Sequence, residues 1–288
     1  MRNGHSRLGS TVPSVEDVAS SGDVQQALVG IHCAVCRRLA SLPAGPASPV
    51  GINPRGHPQR PFDLTADEAV FEELRACFPG GLLLSEESGL RRFGEASPRW
   101  RFLVDPVDGS DNRARGLPLS AVSVAVLEAE GPLALERVHW ALVGDLEENV
   151  RLIAGRGLGC RRGEAAVSVS QVRALHDAFV SCELNHSAPS RRLAGLLSRA
   201  RAVRSFGCAS RALALVACGG LDAHVDVRGR LTAESFLAGA FLVEQAGGCV
   251  LDLDGRGFEQ MTDLRSTARV VAAATPDLAH QIVDELDE

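Results

Sequence analysis

Lysine and tyrosine are absent from this chain of 288 residues, so all 30 basic side chains are arginine. The simplest origin is a compositional bias of the coding sequence, although guanidinium groups also suit phosphate gripping. Acidic residues outnumber basic ones, for a net charge of −6. Nothing in that balance suggests a nucleic-acid or membrane footprint. No apolar run approaches the roughly 20 residues of a membrane span, and the first residues lack the apolar core of a signal peptide. A cytoplasmic protein with no membrane partner is expected. The 8 cysteines are scattered, apart from Cys33-Ala34-Val35-Cys36. That pair sits in a helical pattern, with no second such pair in the chain. The pair itself reads as a redox or metal couple, or more simply as two thiols on a helix. The other cysteines read as small buried thiols. No internal repeat is visible.

Hydrophobic residues at 45% and charged residues at 23% are ordinary for a globular chain, and the length is near the point where one core divides in two. Residues 1–22, rich in Ser and Gly, read as a flexible tail. From Val24, the spacing of Leu28, Ile31, Val35 and Leu39 predicts a helix. Residues 41–61 are dense in Pro and Gly and predict a long loop, expected to be mobile and functional. Asp63 opens a helix through Cys77. Apolar runs predict strands over 82–86, 119–128, 138–142 and 149–154, giving a first half, 23–164, of two helices on an antiparallel sheet. The second half, 165–288, alternates strands (178–184, 202–206, 223–227, 250–253, 269–273) with helices (191–200, 208–218, 234–245, 276–286). Such alternation predicts layered α/β packing.

Chemistry concentrates at Asp105-Pro106-Val107-Asp108-Gly109-Ser110. The apolar run Phe102-Leu103-Val104 reads as a buried strand that delivers Asp105 at its tip. Pro106 turns the chain, so Asp105 and Asp108 can aim at one point. Gly109 permits close approach of a ligand. Ser110 offers a hydroxyl and an N–H where a helix starts. Carboxylates beside an anion site repel phosphate unless cations intervene, which is the logic of a magnesium-dependent phosphatase. An acidic surface turn with an N-capping serine is the bland alternative. Leu82-Leu83-Leu84-Ser85-Glu86-Glu87-Ser88 is a second apolar strand ending in carboxylates, or else a solvated strand end.

These blocks, with Gly207-Cys208-Ala209-Ser210, Gly219-Gly220-Leu221-Asp222-Ala223 and Glu244-Gln245-Ala246-Gly247-Gly248, resemble the inositol monophosphatase superfamily in order and spacing. Gly56 to Asp63, Asn112 to Leu119 and Asp226-Val227-Arg228-Gly229-Arg230 look most like its archaeal-type inositol monophosphatase/fructose-1,6-bisphosphatase branch. The resemblance covers residues 50 to 275. It implies an α-β-α-β-α sandwich with the site where the halves meet, Mg²⁺ as cofactor, a small phosphorylated metabolite as ligand, and a homodimer. It also implies that Glu86, Asp105 and the Val107 carbonyl hold one metal. Asp105 would bridge to a second, completed by Asp108. Glu87 would take a third ion or stand behind the ligands. Gly109 and Ser110 would hold the phosphate, and Asp63 would orient water with Ser110, or merely cap its helix. Arg228 would grip a second phosphate, or be a surface arginine. Ser210 would meet substrate hydroxyls, or cap.

One position departs from the family pattern. A further metal-ligating Asp is implied at the start of the helix before Glu244-Gln245-Ala246-Gly247-Gly248, and Ser235 stands there. Either Glu234 swings in, or the second metal is weak. One helical residue rotates the side chain by about 100°, so compensation needs a distorted helix start. The expected function is a Mg²⁺-dependent phosphatase of inositol-1-phosphate, fructose-1,6-bisphosphate or a related ester. A non-catalytic phosphometabolite-binding protein and a nucleotide 3′-phosphate phosphatase are the alternatives.

Overall fold

The computed structural model describes residues 15–42, 47–185, 190–257 and 261–287. Helix α1 (Val15–Ala40) buries Leu28, Ile31, Val35 and Leu39 on one side, as their helical spacing requires. It begins at Val15, so residues 15–22 are helical, a correction to the tail read from composition. Residues 1–14, and 43–46 in the following loop, lie outside the described residues. That loop carries a small antiparallel ribbon, β1 (Gly51–Ile52) with β2 (Pro58–Gln59). Helix α2 (Pro61–Cys77) opens on a proline, where a missing N–H costs nothing. It buries Phe62, Ala66, Val70 and Leu74.

The first sheet comprises β3 (Gly80–Ser85), β4 (Gly89–Gly94), β5 (Trp100–Asp108), β6 (Ala121–Glu128), β7 (Val138–Asp145), β8 (Arg151–Gly155), β9 (Gly159–Arg162) and β10 (Ala165–Val167), in the order β10-β9-β8-β7-β6-β5-β3-β4. The sequence pattern predicts a wholly antiparallel sheet, and the observed sheet is mixed. β3 and β5 run parallel, because β4 folds back on β3 and returns the chain to the end where β3 began. β4 and β9 are short and rich in Gly and Arg, and the sequence pattern predicts a strand at neither. The sheet continues through Val167, so the first half extends past residue 164. A five-residue helix, α3 (Ser110–Ala114), follows β5.

The second sheet has the order β12-β11-β13-β15-β14, from β11 (Phe179–Cys182), β12 (Ala202–Arg204), β13 (Ala223–Thr232), β14 (Cys249–Leu251) and β15 (Thr267–Ala273). Helices α4 (Leu193–Arg199), α5 (Ala209–Ala217), α6 (Ala233–Gln245) and α7 (Pro276–Asp287) complete the chain. The Thr275 hydroxyl accepts the Leu278 N–H at 3.3 Å and caps α7.

Three apolar clusters define the layers. One lies between α1/α2 and the first sheet. A second joins the other face of that sheet to α5, α6 and the inner face of the second sheet. The third fills the outer face of the second sheet beneath α4 and α7. The result is the expected α-β-α-β-α sandwich. Helix α6 is apolar nearly all round, with Phe236, Leu237, Phe241 and Leu242 buried, as a helix enclosed by two sheets must be. Burying each such side chain stabilises by about 1.5–3 kcal/mol. A Cβ at Gly239 would stand 2.6 Å from Leu213 Cβ, so glycine lets α5 and α6 touch. Among the described residues no helix is long and apolar enough to cross a membrane.

His224, in β13, is fully buried, and neither ring nitrogen has a hydrogen-bond partner among the described residues. Burial lowers its pKa to about 4, with Asp226 opposing and Arg228 adding to the fall. Between pH 7 and pH 5 the unfolded imidazole takes up a proton that the folded one refuses. Stability therefore falls on acidification, by roughly 2 kcal/mol from this group. His224→Leu is expected to remove that part of the slope. Urea unfolding at the two pH values checks it, and identical slopes in both proteins would refute the assignment.

Candidate active site

Parallel pairing of β3 and β5 sets the site. Ser85 lies opposite Val104, and Glu86 N–H donates to Val104 C=O at 3.0 Å. The two strands therefore end side by side, each on carboxylates. The β5/β6 register breaks between Asp105 and Asp108, around Pro106, which has no N–H for the ladder. Val107 N–H turns instead to Asp105 Oδ1 at 3.2 Å. Gly109 follows at φ 85°, a conformation side chains resist. A Cβ there would also stand 2.6 Å from Leu119 O and 3.2 Å from Cys208 Cβ. Helix α3 is a single turn, so Ser110 contributes its hydroxyl and N–H rather than a helix dipole.

The cleft has a volume of about 630 Å³, and Glu86, Glu87, Asp105, Val107, Asp108, Gly109, Ser110, Arg228 and Ser235 all line it. Asp105 is buried, and burial together with Glu86, Asp108 and Glu234 raises its carboxyl well above the usual range. The Ser235 hydroxyl donates to Asp105 Oδ2 at 3.1 Å. Asp108 is raised to about 6, by burial and by Glu86, against the hydrogen bonds it accepts. Its Oδ2 takes Ser210 N–H at 2.7 Å and Ser210 Oγ–H at 2.6 Å. Ser210 thus engages Asp108, and Asp108 caps the start of α5. Burial acts to raise Glu86, but contacts with His57 and Arg55 outweigh it and hold its carboxyl below the usual range. Glu87 is pushed up to about 7 by burial, with Asp63 and Glu86 adding to the rise and Gln59 opposing. Gln59 Nε2 donates to its Oε2 at 2.7 Å.

Asp63 meets both the start of α2 and Ser110. Its Oδ2 accepts Arg60 N–H at 2.8 Å and caps α2, while Oδ1 lies 2.7 Å from Ser110 Oγ. Burial raises its pKa to about 6. Ser110 Oγ is also 2.8 Å from Val107 O. Arg228 lies at the cleft, but its fork is engaged: Nη2 donates to Asp226 Oδ2 at 2.6 Å, Nε to Oδ1 at 3.0 Å, and Nη1 to Asn185 O at 2.8 Å. Glu234 turns into the acidic cluster, and burial lifts it to about 7 against the pull of Arg55. Cys33 and Cys36 are free thiols on α1, remote from the cleft.

Several lining residues escape a reading of the sequence. A turn at Asn53–His57, closed by Asn53 Oδ1 accepting the N–H groups of Arg55 at 3.1 Å and His57 at 2.9 Å, carries Arg55 and His57 to Glu86. Arg60 and Arg230 also face the cleft. Asn112 Nδ2 donates to Leu119 O at 2.9 Å and Phe206 O at 2.7 Å, tying α3 to the second half. Gly56 beside Asn53 is a turn signal, but nothing in the sequence says what the turn reaches.

The donor set is hard oxygen, suited to a hard divalent cation. Asp105 is crowded by Glu86, Asp108 and Glu234, and that crowding fits a cation among these carboxyls. As placed, the described residues include no group of three or more His, Cys, Asp or Glu side chains drawn together to hold a metal ion. Asp108 is drawn to Ser210, Glu234 to Arg55 and Glu86 to the turn.

The cleft thus gathers buried carboxyls and is rimmed by arginines. The model of the inositol monophosphatase family matches residues 54–288, and the chain belongs to that family, which comprises phosphatases. It is 27% identical over 237 residues to the fructose-1,6-bisphosphatase/inositol-1-monophosphatase of Methanothermobacter thermautotrophicus, covering 81% of this chain and 84% of that protein. It is 31% identical over 199 residues to the inositol-1-monophosphatase of Mesorhizobium japonicum (67% and 71%). The Nus factor SuhB of Xylella fastidiosa is 29% identical over 226 residues (76% and 78%). Among solved structures, the suppressor protein suhB of Bartonella henselae superposes with a TM-score of 0.75 at 26% identity, covering 94% and 99% of the two chains.

Glu87→Gln keeps an acceptor for Gln59 and removes a carboxylate that burial and like charge disfavour. A carboxyl raised in the folded state contributes stability below its unfolded pKa, and that contribution is lost as pH rises through about 7. With metal chelated, the variant is therefore expected to melt higher than wild type at pH 7.5, the gap closing by pH 4.5. Thermal melts across that range check it.

Proposed function

We propose that this chain is a Mg²⁺-dependent phosphatase acting on a phosphate monoester of a small sugar or cyclitol. One observation supports the reading above the rest: Glu86, Asp105, Asp108 and Ser110 line one cleft although they come from different segments. Glu86, Asp105, the Val107 carbonyl and Asp108 are the residues that would hold the ion. When bound, Mg²⁺ supplies a Lewis acid for the phosphoryl group and lowers the pKa of water.

The chain's own groups do the rest. Gly109 and Ser110 present N–H and hydroxyl to the phosphate. Asp63 Oδ1, beside Ser110 Oγ, accepts a proton from the attacking water. Its pKa of about 6 suits proton acceptance near neutrality. Arg55, Arg60 and Arg230 supply positive charge around the anion. Arg228, held by Asp226 and Asn185, serves more to shape the sugar side than to grip a second phosphate with its whole fork. Inositol-1-phosphate and fructose-1,6-bisphosphate are the first substrates to test, with an adenosine 3′,5′-bisphosphate as the nucleotide alternative. Cytoplasmic location and a homodimer belong to the same proposal.

A second reading, a phosphometabolite-binding protein with little turnover, is favoured by one feature. The start of α6 offers Ser235, a neutral hydroxyl, and a Glu234 already paired with Arg55.

Phosphate release from a panel of these esters, with millimolar Mg²⁺ and with chelator, separates the two. Turnover only with Mg²⁺ is expected. Asp63→Asn is expected to fold, since it retains an acceptor for the Arg60 N–H, and to lower kcat by about 10²–10⁴-fold. No release from any ester would overturn the enzymatic reading.

A further inference from the structure

Arg55 reaches into the acidic cluster from the turn between β1 and β2. Its side chain is 12% exposed and that of its partner Glu234 is 0% exposed. Nη1 is in closest contact with Glu234 Oε1, lies 2.6 Å from Thr232 Oγ1 and stands 3.5 Å from Glu86 Oε1. Thr232 Oγ1–H also donates to Glu234 Oε1 at 2.7 Å. One guanidinium therefore sits between two buried carboxyls from opposite halves of the protein. Its charge is tethered to the chain and cannot be diluted away as a bound ion can. Toward Asp105 the start of α6 offers the Ser235 hydroxyl as a hydrogen-bond donor, while Glu234 is held by Arg55.

We infer that Arg55 is a built-in cation that takes the place of one divalent ion, so that the cleft binds a single metal, on the Asp105/Asp108 side. This assignment rests on the metal-dependent reading above and deepens it. Glu234 and the near side of Glu86 are neutralised by the arginine, and a second divalent ion there would face a fixed positive charge within contact distance. Removing the guanidinium leaves Glu234 and Glu86 as uncompensated buried carboxyls, which a divalent ion can neutralise with the hard oxygen ligands it prefers. The same contact straps the β1–β2 turn to the end of β13 and the start of α6, so the charge is fixed in position as well as in sign.

The test counts ions rather than turnover. Mn²⁺ is titrated into metal-free protein, with free Mn²⁺ followed by electron paramagnetic resonance and heat by calorimetry. The expected count is about one per chain in wild type and in Arg55→Lys, which keeps the charge, and about two in Arg55→Met. Two ions in wild type overturn the assignment without recourse to any variant. So does no ion in wild type, or a count of one in an Arg55→Met protein whose circular dichroism is native. If Arg55→Met does not fold, the wild-type count decides. Phosphate release from the ester panel is read separately. Counts of one and two with no release keep the arginine assignment and remove the phosphatase reading. Mg²⁺-dependent release with two ions in wild type does the reverse.

Discussion

Like charges buried together are the constraint on which this molecule turns. β3 and β5 run parallel and adjacent, so both deliver acids to the same end of the sheet. Asp105 is driven upward by burial and by its neighbours Glu86, Asp108 and Glu234. Such a cluster needs positive charge or hydrogen-bond donors close by. The chain supplies them from several places: Ser210 and the start of α5 to Asp108, the Asn53–His57 turn to Glu86, Arg55 to Glu234, Gln59 to Glu87. Each donor also fixes the position of the element that carries it. The electrostatic problem of the cleft and the placing of its walls are thus one problem.

The halves are joined by apolar packing and trimmed by polar ties. Helix α6 lies between the two sheets and belongs to the largest apolar cluster. Its first turn carries Glu234 and Ser235 into the cleft, so the element that holds the sheets together also places two of the site's groups. Asn112 and Arg55 add connections across the junction. A ligand held between the halves meets groups whose spacing is set by the core beneath them.

An arginine-only chain has a particular consequence here. Lysine offers a point charge on a flexible stem, whereas a guanidinium spreads several donors in a plane. Arg228 uses its plane on Asp226 and a backbone carbonyl, and Arg55 uses one nitrogen on a cluster of oxygens. Ser235 is a neutral hydroxyl at the start of α6, and the fixed cation of Arg55 stands on its neighbour Glu234. Fewer free carboxylates on this side leave less charge for ions to balance.

The layered α/β packing was legible in the sequence because its signals are local, whereas the order of the five layers was implied by the family resemblance. Helical spacing in α1 and α2, apolar runs at β3 and β5, and a uniformly apolar α6 need only neighbours along the chain to be read. The acid pairs at Glu86/Glu87 and Asp105/Asp108, and Ser110 beside them, were legible for the same reason, as strand ends that stop on charge. Short Gly- and Arg-rich strands such as β4 and β9 were not, because their pairing comes from the sheet rather than from their own residues. Residues 15–22 joined α1 although their composition is that of a tail, since propensity gives way where a longer helix can continue. The sequence by itself determined which residue types the cleft would hold and which strand ends would carry them. Only the tertiary structure decided what faces them: Ser210 on Asp108, Asp226 on Arg228, and Arg55 on Glu234. Those contacts join residues as much as 179 positions apart, and a charge buried at such a distance from its partner leaves no mark in local spacing.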